Sequence, residues 1–452
     1  MARYDIIIIG AGVIGVNLAF WLSELYDCSI MLVDKEAGVG FHQTSRNTGG
    51  VHRPVFLDPE GNQGKWWEKS YHLWQRLAQE YVLPWKELGR ITLAFEEEDA
   101  FLIRQYEKWG RLNGMTEEEM ELLDGAGIKK LEPEVQCVLG LVSKRESMTS
   151  YGDLCDQVFA LARQNGIKFG GGVEVHRIRE MPEGVEIELH DVASGSISFV
   201  TCSLLINAAG AAALKLARML GLGKQYAELH LKGTYWTVDG PVVSKITRNI
   251  YPVTRHGVEG IDIAYMGPHL VTRYNCISGW RKELGPTAVP VLGPYAYKGF
   301  SEDLGTAMDT IFRNPFTQRL KLFTKRQFVY FAWSEWRRAN SKESMVRYLK
   351  NCIPNLDERM VEGKGCSGIQ WELIDDRHKF VNSMLLKGSS SLSILYGGAA
   401  ATGAPAFCAG VVSWLADEGC LDVYHRREDR KHDSLWNFES TGEVKPVAVS
   451  YK

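Results

Sequence analysis

Ile6-Ile7-Ile8-Ile9-Gly10-Ala11-Gly12-Val13-Ile14-Gly15 is the stretch that decides the fold of this chain. An apolar run leads into three glycines with the spacing GxGxxG, and residues 16–25 then have helical character. In such a turn the first glycine permits the bend, the second admits a pyrophosphate close to the backbone, and the third lets the helix pack on the strand. The stretch therefore predicts a strand, a tight turn and a helix.

A second apolar run, residues 29–33, ends on Asp34. A carboxylate at this distance from the glycines can accept hydrogen bonds from an adenosine ribose, while Val13 and Ile14 at the helix start offer N–H groups to phosphates. We therefore predict a dinucleotide site. The alternative, a glycine-rich turn without a ligand, does not explain where Asp34 falls.

Composition excludes several classes of protein. The chain has 452 residues, 45% of them hydrophobic and 24% charged, with a net charge of −3 that gives no reason to expect a nucleic-acid partner. Its nine cysteines form no CxxC pair, which argues against a disulfide framework, a zinc site and a redox dithiol, so we expect no metal. No apolar run reaches about 18 residues, the length that spans a bilayer, and we expect a cytoplasmic protein.

Residues 41–53 form a polar loop rich in Gly, Ser, Thr and Asn. We expect it to wrap the cofactor, although a solvated surface loop would have a similar composition. Long polar loops without a function are uncommon. The cofactor contacts predicted here and just before it are Lys35, Gln43, Thr44, Ser45, Arg46, Asn47, Thr48 and Gly49.

Two later turns repeat the strand-to-helix pattern. Leu204-Leu205-Ile206 leads into Asn207-Ala208-Ala209-Gly210, and residues 392–396 lead into a Gly- and Ala-rich turn at 397–405. Distant turns of this kind suit a long, buried cofactor, so we predict FAD rather than NAD. Gly170-Gly171-Gly172 precedes a strand rather than a helix, and we therefore expect no second nucleotide site. The predicted FAD contacts in these parts are Val175, Ala208, Ala209, Gly210, Gly398, Thr402, Gly403 and Ala404.

The order of these patterns predicts an α/β fold with two domains. Residues 1–80, 145–225 and 365–420 should build a Rossmann-like FAD-binding domain from discontinuous segments. Residues 81–144 and 226–364 should build an inserted α+β substrate domain with an antiparallel sheet, and residues 421–452 a C-terminal tail. Thr116-Glu117-Glu118-Glu119 has the pattern of a capping box, which predicts a short helix after it.

The whole layout resembles the D-amino-acid-oxidase type of FAD oxidoreductase, and within it the L-2-hydroxyglutarate dehydrogenase and oxidase branch. The resemblance spans nearly the whole chain to about residue 420, with a more distant likeness to malate:quinone oxidoreductases. The motifs that carry it are His42-Gln43-Thr44-Ser45-Arg46-Asn47-Thr48-Gly49-Gly50-Val51-His52, Lys232-Gly233, Asn249-Ile250-Tyr251-Pro252-Val253-Thr254 and Leu284-Gly285-Pro286-Thr287-Ala288.

The resemblance implies oxidation of a small 2-hydroxy acid, similar to L-2-hydroxyglutarate or malate, to the 2-keto acid, with hydride passing to flavin N5. The chain departs from the branch in three places. Arg53-Pro54 replaces small residues, Gln370 stands where an arginine is expected near the substrate, and residues 300–348 resemble a helical insertion. These departures bear on the substrate more than on the type of reaction.

Hydroxy-acid oxidation needs a base for the hydroxyl proton and a cation for the carboxylate. We predict His52 as the base and choose the cation among Arg53, Arg273, Arg255 and Arg281. Tyr251 and Tyr265 are the predicted hydrogen-bond partners. The alternatives are that His52 only binds the flavin or the loop, and that each arginine is a surface charge.

Residues 309–338 contain seven basic and two acidic residues and many aromatics. Such a stretch can lie in a membrane interface and would suit electron transfer to a quinone, with the protein peripheral on the inner face of the membrane. The alternative is a helical cap whose aromatics are buried. Rival functions are an amine or amino-acid oxidase, an oxidase using oxygen directly, and a dinucleotide-binding protein without turnover.

Overall fold

The computed structural model describes residues 1–253, 266–313, 315–377, 379–381, 383–396, 400–427, 436–446 and 448–450. In this part of the chain there are two large sheets. They confirm the predicted α/β fold, because one is mainly parallel and the other mainly antiparallel.

The first sheet carries the opening glycine motif at its centre. Its strand Ala2–Ile9 pairs in parallel with Ile30–Asp34 on one side and with Ile197–Asn207 on the other. The carboxyl ends of these strands therefore meet at one edge, where α/β proteins bind their ligands. In spatial order the sheet runs Lys168–Gly171, Ile30–Asp34, Ala2–Ile9, Ile197–Asn207, Ser391–Tyr396, Ser383–Lys387 and Ala448–Ser450, and Val173–Met181 and Gly184–Asp191 extend it from Ile197–Asn207.

Helices cover both faces of this sheet. Val13–Leu25 packs between Tyr151–Gln164 and Ala400–Asp417, and their apolar side chains form a core with strand residues such as Ile6 and Ile8. On the other face Leu216 of a short helix packs with Ile7 and Ile9. The helices of this unit are Val13–Leu25, Gln63–Glu80, Tyr151–Gln164, Ala213–Met219, Ala400–Asp417 and Phe438–Thr441.

The second sheet lies in the segments predicted as the inserted domain. Nearly all its pairings are antiparallel; Asn249–Pro252 runs parallel to Arg90–Ala94. Its spatial order is Phe380–Val381, Val361–Ile374, Ala227–Val238, Gly279–Gly285, His269–Asn275, Asn249–Pro252, Arg90–Ala94, Leu139–Ser143 and Met120–Asp124, with Val289–Val291 also on Ala227–Val238. Because Val361–Ile374 pairs here along its length, we propose that the inserted domain continues to about residue 381 rather than 364.

The helices of the inserted part include the run predicted between residues 300 and 348. They are Glu97–Leu112, Gly125–Leu131, Pro241–Lys245, Leu304–Phe312, Phe316–Thr324, Arg326–Asn340 and Lys342–Leu349. The helix predicted after Thr116 is wrong. Thr116 does bond the Glu119 carboxylate as in a capping box, but the chain then enters the strand Met120–Asp124, which pairs with Leu139–Ser143.

Two small sheets and three single turns of 3-10 helix complete the described structure. A three-stranded sheet pairs Gly50–Val51 and Trp85–Glu87 with Ser147–Thr149, and a two-stranded one pairs Tyr26–Asp27 with His425–Arg426. Single turns of 3-10 helix occupy His42–Thr44, Gly210–Ala212 and Glu358–Met360. The first of these sheets fixes the end of the polar loop, and so the position of His52.

Candidate cofactor and active site

A cavity of about 1260 Å³ lies between the two sheets, at the edge where the parallel strands end. The glycine turn, the polar loop and the turn after Asn207 all contribute to its wall. The wall residues among those predicted are Gly10, Gly12, Val13, Ile14, Asp34, Lys35, Gln43, Thr44, Arg46, Asn47, Thr48, Gly49, His52, Val175, Ala208, Ala209, Gly210 and Thr402. The fold therefore brings together segments that are hundreds of residues apart.

The three glycines of the motif have different tasks. Gly10 has φ +100°, and a Cβ on it would lie 2.5 Å from the carbonyl oxygen of Ala208. A Cβ on Gly15 would lie 1.8 Å from the carbonyl oxygen of Gly10. Gly12 faces the cavity, and a Cβ there would touch only Thr44 Oγ1, at 3.3 Å. Gly10 and Gly15 thus hold the turn closed, and Gly12 leaves room for a ligand against the backbone.

Asp34 is fixed beside this turn by backbone N–H groups. Its Oδ2 accepts from Ala11 N at 2.6 Å and its Oδ1 from Glu36 N at 2.9 Å. Burial raises the pKa of Asp34, and these two hydrogen bonds oppose that rise. A fixed acceptor on the cavity wall fits the hydroxyl donors of a ribose, as the sequence predicts.

The polar loop is held by its own side chains. Asn47 Nδ2 donates to the carbonyl oxygens of Gln43 and Thr44, and Asn47 Oδ1 accepts from Gly49 N. Thr44 Oγ1 accepts from Val13 N at 3.0 Å, so the first N–H of the helix is already bonded within the protein. Ser45 turns away from the cavity and donates to the carbonyl of Gly40. The loop is a built wall rather than a solvated surface.

The late turn reaches the cavity through Thr402. Trp74 Nε1 donates to the carbonyl oxygens of Ala401 and Thr402, both at 3.1 Å. Pro405, inside the helix Ala400–Asp417, has no N–H to give to Ala401, and Trp74 supplies the missing donor. Gly403 packs against Trp67 behind the wall, Ala404 is buried, and Gly398 lies outside the described residues.

Among the predicted catalytic residues that the structure describes, His52 is the one on the cavity wall. Its Nδ1 bonds to a carboxylate oxygen of Glu146, which leaves Nε2 as the ring nitrogen that can serve a ligand. The ring stacks on Trp67, with centroids 5.5 Å apart. The pairing of Val51 with Ser147 places Glu146 beside His52. Glu146 itself was not predicted from the sequence.

Glu146 is an anion despite its burial. Burial alone would raise its pKa, but the adjacent His52, which is hydrogen-bonded to it, and the charge of Arg90 hold the pKa below its usual range. Arg90 Nη1 lies 3.6 Å from Glu146 Oε1. A carboxylate in this position orients the imidazole and stabilises a positive charge on it.

Arg90 is the second residue that sequence reasoning missed. It is 2% exposed, lines the cavity, and donates from Nε to Thr92 Oγ1 at 3.1 Å. The guanidinium lies over the ring of Tyr251, 4.0 Å from its centroid, and Nη1 has no hydrogen-bond partner in the described structure. An arginine inside the apolar strand Arg90–Ala94 was the available signal. A buried guanidinium with a free N–H can hold a carboxylate.

His269 completes this end of the cavity. Its Nδ1 donates to the carbonyl of Gly267 at 2.9 Å, and its Nε2 has no hydrogen-bond partner in the described structure. Burial lowers the pKa of His269 to about 3, so the ring is neutral and Nε2 is an acceptor. The ring stacks on Tyr251 at 3.9 Å between centroids.

Of the other predicted catalytic residues, those that the structure describes do not line the cavity. Arg53 Nη2 bonds to Glu68 Oε1 and Glu119 Oε1, both at 3.0 Å, and Arg273 Nη1 bonds to Glu283 Oε2 at 3.1 Å. Arg281 lies near Glu362 in a half-exposed pair, and Tyr251 supports Arg90 and His269 from behind. Tyr265 and Arg255 lie outside the described residues. We therefore replace Arg53 and Arg273 by Arg90 as the candidate carboxylate clamp.

The described ranges contain neither a cluster of metal ligands nor a membrane-spanning helix. There, no group of three or more His, Cys, Asp or Glu side chains could hold a metal ion. Nor is any described helix both long and apolar enough to cross a bilayer. All nine cysteines are free thiols.

Comparison with known proteins agrees with this site. Residues 5–275 match the family model described as FAD dependent oxidoreductase. A protein from Nematostella vectensis named "L-2-hydroxyglutarate dehydrogenase, mitochondrial" is 23% identical over 85% of this chain and 83% of its own length. The human protein of the same name is 23% identical over 83% of this chain and 79% of its own length.

Solved structures share the fold. L-alpha-glycerophosphate oxidase from Mycoplasma pneumoniae with FAD bound superposes with a TM-score of 0.68 at 18% identity, covering 95% of this chain and 97% of that one. Glycine oxidase from Geobacillus kaustophilus superposes with a TM-score of 0.64 at 17% identity, covering 97% and 99%. The malate:quinone oxidoreductase likeness suggested by the sequence is not among these matches.

Proposed function

Because this chain belongs to the family of FAD-dependent oxidoreductases, we propose that it oxidises a small 2-hydroxy acid of the L-2-hydroxyglutarate type to the 2-keto acid. The observation that carries this proposal is that His52 and Arg90 line the cavity that also holds the glycine turn, with the buried Glu146 in contact with both. The relatives named L-2-hydroxyglutarate dehydrogenase support the choice of substrate class.

The cavity fits FAD at three points. Gly12 leaves backbone space for a pyrophosphate, Asp34 offers fixed acceptors to a ribose, and Thr402 holds the late turn at the wall. The bound cofactor supplies the two-electron acceptor for the oxidation. The protein's own residues must bind the acid, orient it and remove its hydroxyl proton.

We assign the proton transfer to His52. Its Nε2 is the ring nitrogen left open by the bond between Nδ1 and Glu146. When Nε2 takes the hydroxyl proton, the imidazole becomes positive, and the adjacent Glu146 carboxylate stabilises that charge. Glu146 is a positioning residue, since it acts through His52.

We assign the substrate carboxylate to Arg90. Arg90 lines the same cavity as His52, and its Nη1 makes no hydrogen bond in the described structure. Neutral His269 can accept a hydrogen bond from the substrate at Nε2. Glu146 lies within ion-pair distance of Arg90, so the guanidinium is held in place before substrate binds.

Anaerobic bleaching of the flavin tests the reaction. The FAD-loaded protein is mixed with L-2-hydroxyglutarate, malate, lactate, glycine and sarcosine, and the visible spectrum is followed. We expect L-2-hydroxyglutarate or malate to bleach it and the amines to leave it oxidised. Bleaching by the amines alone would establish the rival amine-oxidase reading and overturn this proposal.

We further propose that the electrons pass to a quinone at a membrane surface. Three helices of the inserted part, Leu304–Phe312, Phe316–Thr324 and Arg326–Asn340, carry exposed apolar side chains at helical spacing. Exposed patches of this size commonly mark interaction sites, and the basic residues beside them suit anionic lipid. The exposed side chains are Leu304, Met308, Ile311, Phe312, Leu320, Phe323, Val329, Tyr330, Trp333 and Trp336.

Co-sedimentation with vesicles tests this second proposal. We expect the protein to bind vesicles of anionic phosphatidylglycerol more than those of neutral phosphatidylcholine. Changing Trp333 and Trp336 together to serine should abolish the binding. Phe101→Ser is the control, because Phe101 is also an exposed aromatic residue and lies on a different helix. If wild type and the double variant both stay in the supernatant, the membrane role is excluded.

A further inference from the structure

A loop of the inserted part reaches the part of the molecule that carries the glycine turn. Residues 292–303 connect the strand Val289–Val291 with the helix Leu304–Phe312. The loop is closed on itself, because Leu292 N donates a hydrogen bond to the carbonyl of Phe300 at 2.6 Å. Compact surface loops whose ends meet are frequently functional. We call residues 292–303 the cover loop.

The cover loop lies at the end of the cavity that holds Asp34. Pro294, Tyr295 and Glu302 of the loop line the same cavity as Asp34 and Lys35. Burial raises the pKa of the Tyr295 hydroxyl, and the charge of Asp34 adds to that rise because the two side chains are close. Asp34 is the acceptor expected for the ribose of FAD. The cover loop therefore borders the adenosine end of the cofactor site.

Two tyrosines of the cover loop contact residues on either side of it. The ring of Tyr295 lies 4.4 Å from that of His42, and the Lys35 ammonium lies 3.5 Å from the centroid of the same ring. The guanidinium of Arg46 lies over the ring of Tyr297, 4.2 Å from its centroid. Cations over aromatic faces are attracted by the ring electrons. These contacts hold the loop against the polar loop.

His42 joins the two loops by hydrogen bonds. Its Nδ1 lies 2.8 Å from the Tyr297 hydroxyl, and its Nε2 lies 2.8 Å from Glu36 Oε1. Burial, helped by the charge of Lys35, lowers the pKa of His42, so the ring is neutral at pH 7. Burial alone would raise the pKa of Glu36, but the hydrogen bond from His42 holds it below its usual range. Nε2–H therefore donates to the Glu36 carboxylate, and Nδ1 accepts from the Tyr297 hydroxyl.

The backbone of His42 is strained where this bridge forms. Its φ is +52°, in the left-handed region that residues other than glycine rarely adopt. Strained residues persist only where their surroundings hold them, and they cluster at ligand sites and switches. Here the two hydrogen bonds and the ring of Tyr295 hold the residue in place.

The attachment of the cover loop consists of side-chain contacts. Both segments are described by the structure, and no backbone hydrogen bond joins the cover loop to residues 34–47. Breaking the contacts of His42, Lys35 and Arg46 would therefore free the loop while both sheets stay intact.

We infer that the cover loop belongs to the FAD site, and that the hydrogen bond between His42 and Tyr297 keeps it closed over the adenosine and slows release of the cofactor. The inference goes beyond the proposed function, since it concerns the cofactor and holds for any substrate. It adds Tyr295 and Tyr297 of the inserted part to a site that the sequence assigns to other segments.

The rate of FAD release tests the inference. The FAD-loaded protein is mixed with a large excess of isotopically labelled FAD, and the bound flavin is analysed by mass spectrometry at intervals. We expect Tyr297→Phe, which keeps the ring and loses the hydroxyl, to release FAD about fivefold faster, the effect of one ordinary hydrogen bond. An unchanged rate would overturn the inference.

Tyr424→Phe is the matched control. Tyr424 is also partly buried, and its hydroxyl donates to the carbonyl of Asp5 at 3.3 Å, outside the cavity wall. This variant loses a tyrosine hydrogen bond away from the cover loop and should release FAD as wild type does. An equal acceleration in both variants would mean a general loosening of the protein and would also overturn the inference.

His42→Asn shows whether Tyr297 acts through His42. Asparagine tolerates the left-handed backbone, but its side chain is too short to bridge Glu36 and Tyr297. We expect it to release FAD at least as fast as Tyr297→Phe, and the double variant to be no faster than His42→Asn, because the bond is already lost. A further acceleration in the double variant would refute the role of this bond. No measurement uses the acid, so a protein that hydroxy acids do not bleach would refute the proposed function alone.

Discussion

His52 and Glu146 are 94 residues apart in the sequence, yet His52 Nδ1 bonds to the Glu146 carboxylate in the wall of the cavity. The three-stranded sheet that pairs Gly50–Val51 with Ser147–Thr149 makes this contact. The backbone N–H groups of Leu88 and Gly89 donate to the carbonyl of Glu146, which also brings Arg90 to the same place. One short strand thus brings together the proposed base, its carboxylate partner and the guanidinium of Arg90.

Glu146→Gln should slow the oxidation of the acid by about a hundredfold, within the range of general acid–base catalysis. The amide keeps the shape of the carboxylate but cannot stabilise the imidazolium. The rate of anaerobic bleaching and its pH profile measure this. The half-exposed Glu121 provides the control Glu121→Gln, which should behave as wild type. A bleaching rate and pH profile equal to wild type in Glu146→Gln would remove Glu146 from the mechanism.

Arg90→Gln should raise KM for the hydroxy acid at least tenfold, because the carboxylate loses its charged partner. Arg90→Lys should recover only part of this, since an ammonium cannot form the planar fork. Steady-state kinetics with a dye acceptor give kcat and KM for each variant. Arg281→Gln, at the half-exposed pair with Glu362, is the matched control. If KM rose tenfold in Arg281→Gln and did not change in Arg90→Gln, Arg281 would be the carboxylate clamp instead of Arg90.

Arg53→Ala should destabilise the protein by about 3 kcal/mol, because it leaves the Glu119 and Glu68 carboxylates without their buried partner. Urea unfolding of the FAD-loaded protein measures the change. Arg3→Ala removes an exposed ion pair and should leave the midpoint unchanged. An Arg53→Ala protein with normal stability and a high KM would restore Arg53 as the clamp that the sequence predicts.

Because of Glu372, the free energy of unfolding should decrease as the pH rises from about 4.5 to about 7. Burial raises its pKa from 4.5 in the unfolded chain to about 7 in the folded protein. In this window the folded state binds more protons, so the free energy of unfolding decreases as the pH rises, by roughly 3 kcal/mol in total. The difference in urea unfolding between wild type and Glu372→Gln across this range isolates the effect. Parallel curves for the two proteins would contradict it.

Much of the cofactor site could be predicted from local sequence. The turn at Gly10, Gly12 and Gly15 is predictable because these residues have no Cβ atoms. The position of Asp34 is predictable because it ends the second strand of the same strand–turn–helix–strand unit. The polar loop can be recognised from its composition. These features depend on neighbours in the chain, so a pattern of a few tens of residues contains them.

The catalytic groups could not be predicted in the same way. The sequence offers Arg53 as one of four candidate clamps, but in the structure Arg53 bonds to Glu119, and Arg90 lines the cavity. The prediction of a helix after Thr116 is wrong for a related reason. The Glu119 bond to Thr116 forms, while strand pairing with Leu139–Ser143 outweighs the local preference for a helix.

The sequence alone determined the family, the cofactor and the parallel sheet around Gly10-Ala11-Gly12, because a glycine turn is defined by local backbone sterics. Only the tertiary structure decided that His52 pairs with Glu146 and that Arg90 lines the cavity. These are contacts between side chains on strands far apart in the chain. Burial and strand pairing across the two sheets determine these contacts, and no local sequence pattern predicts them.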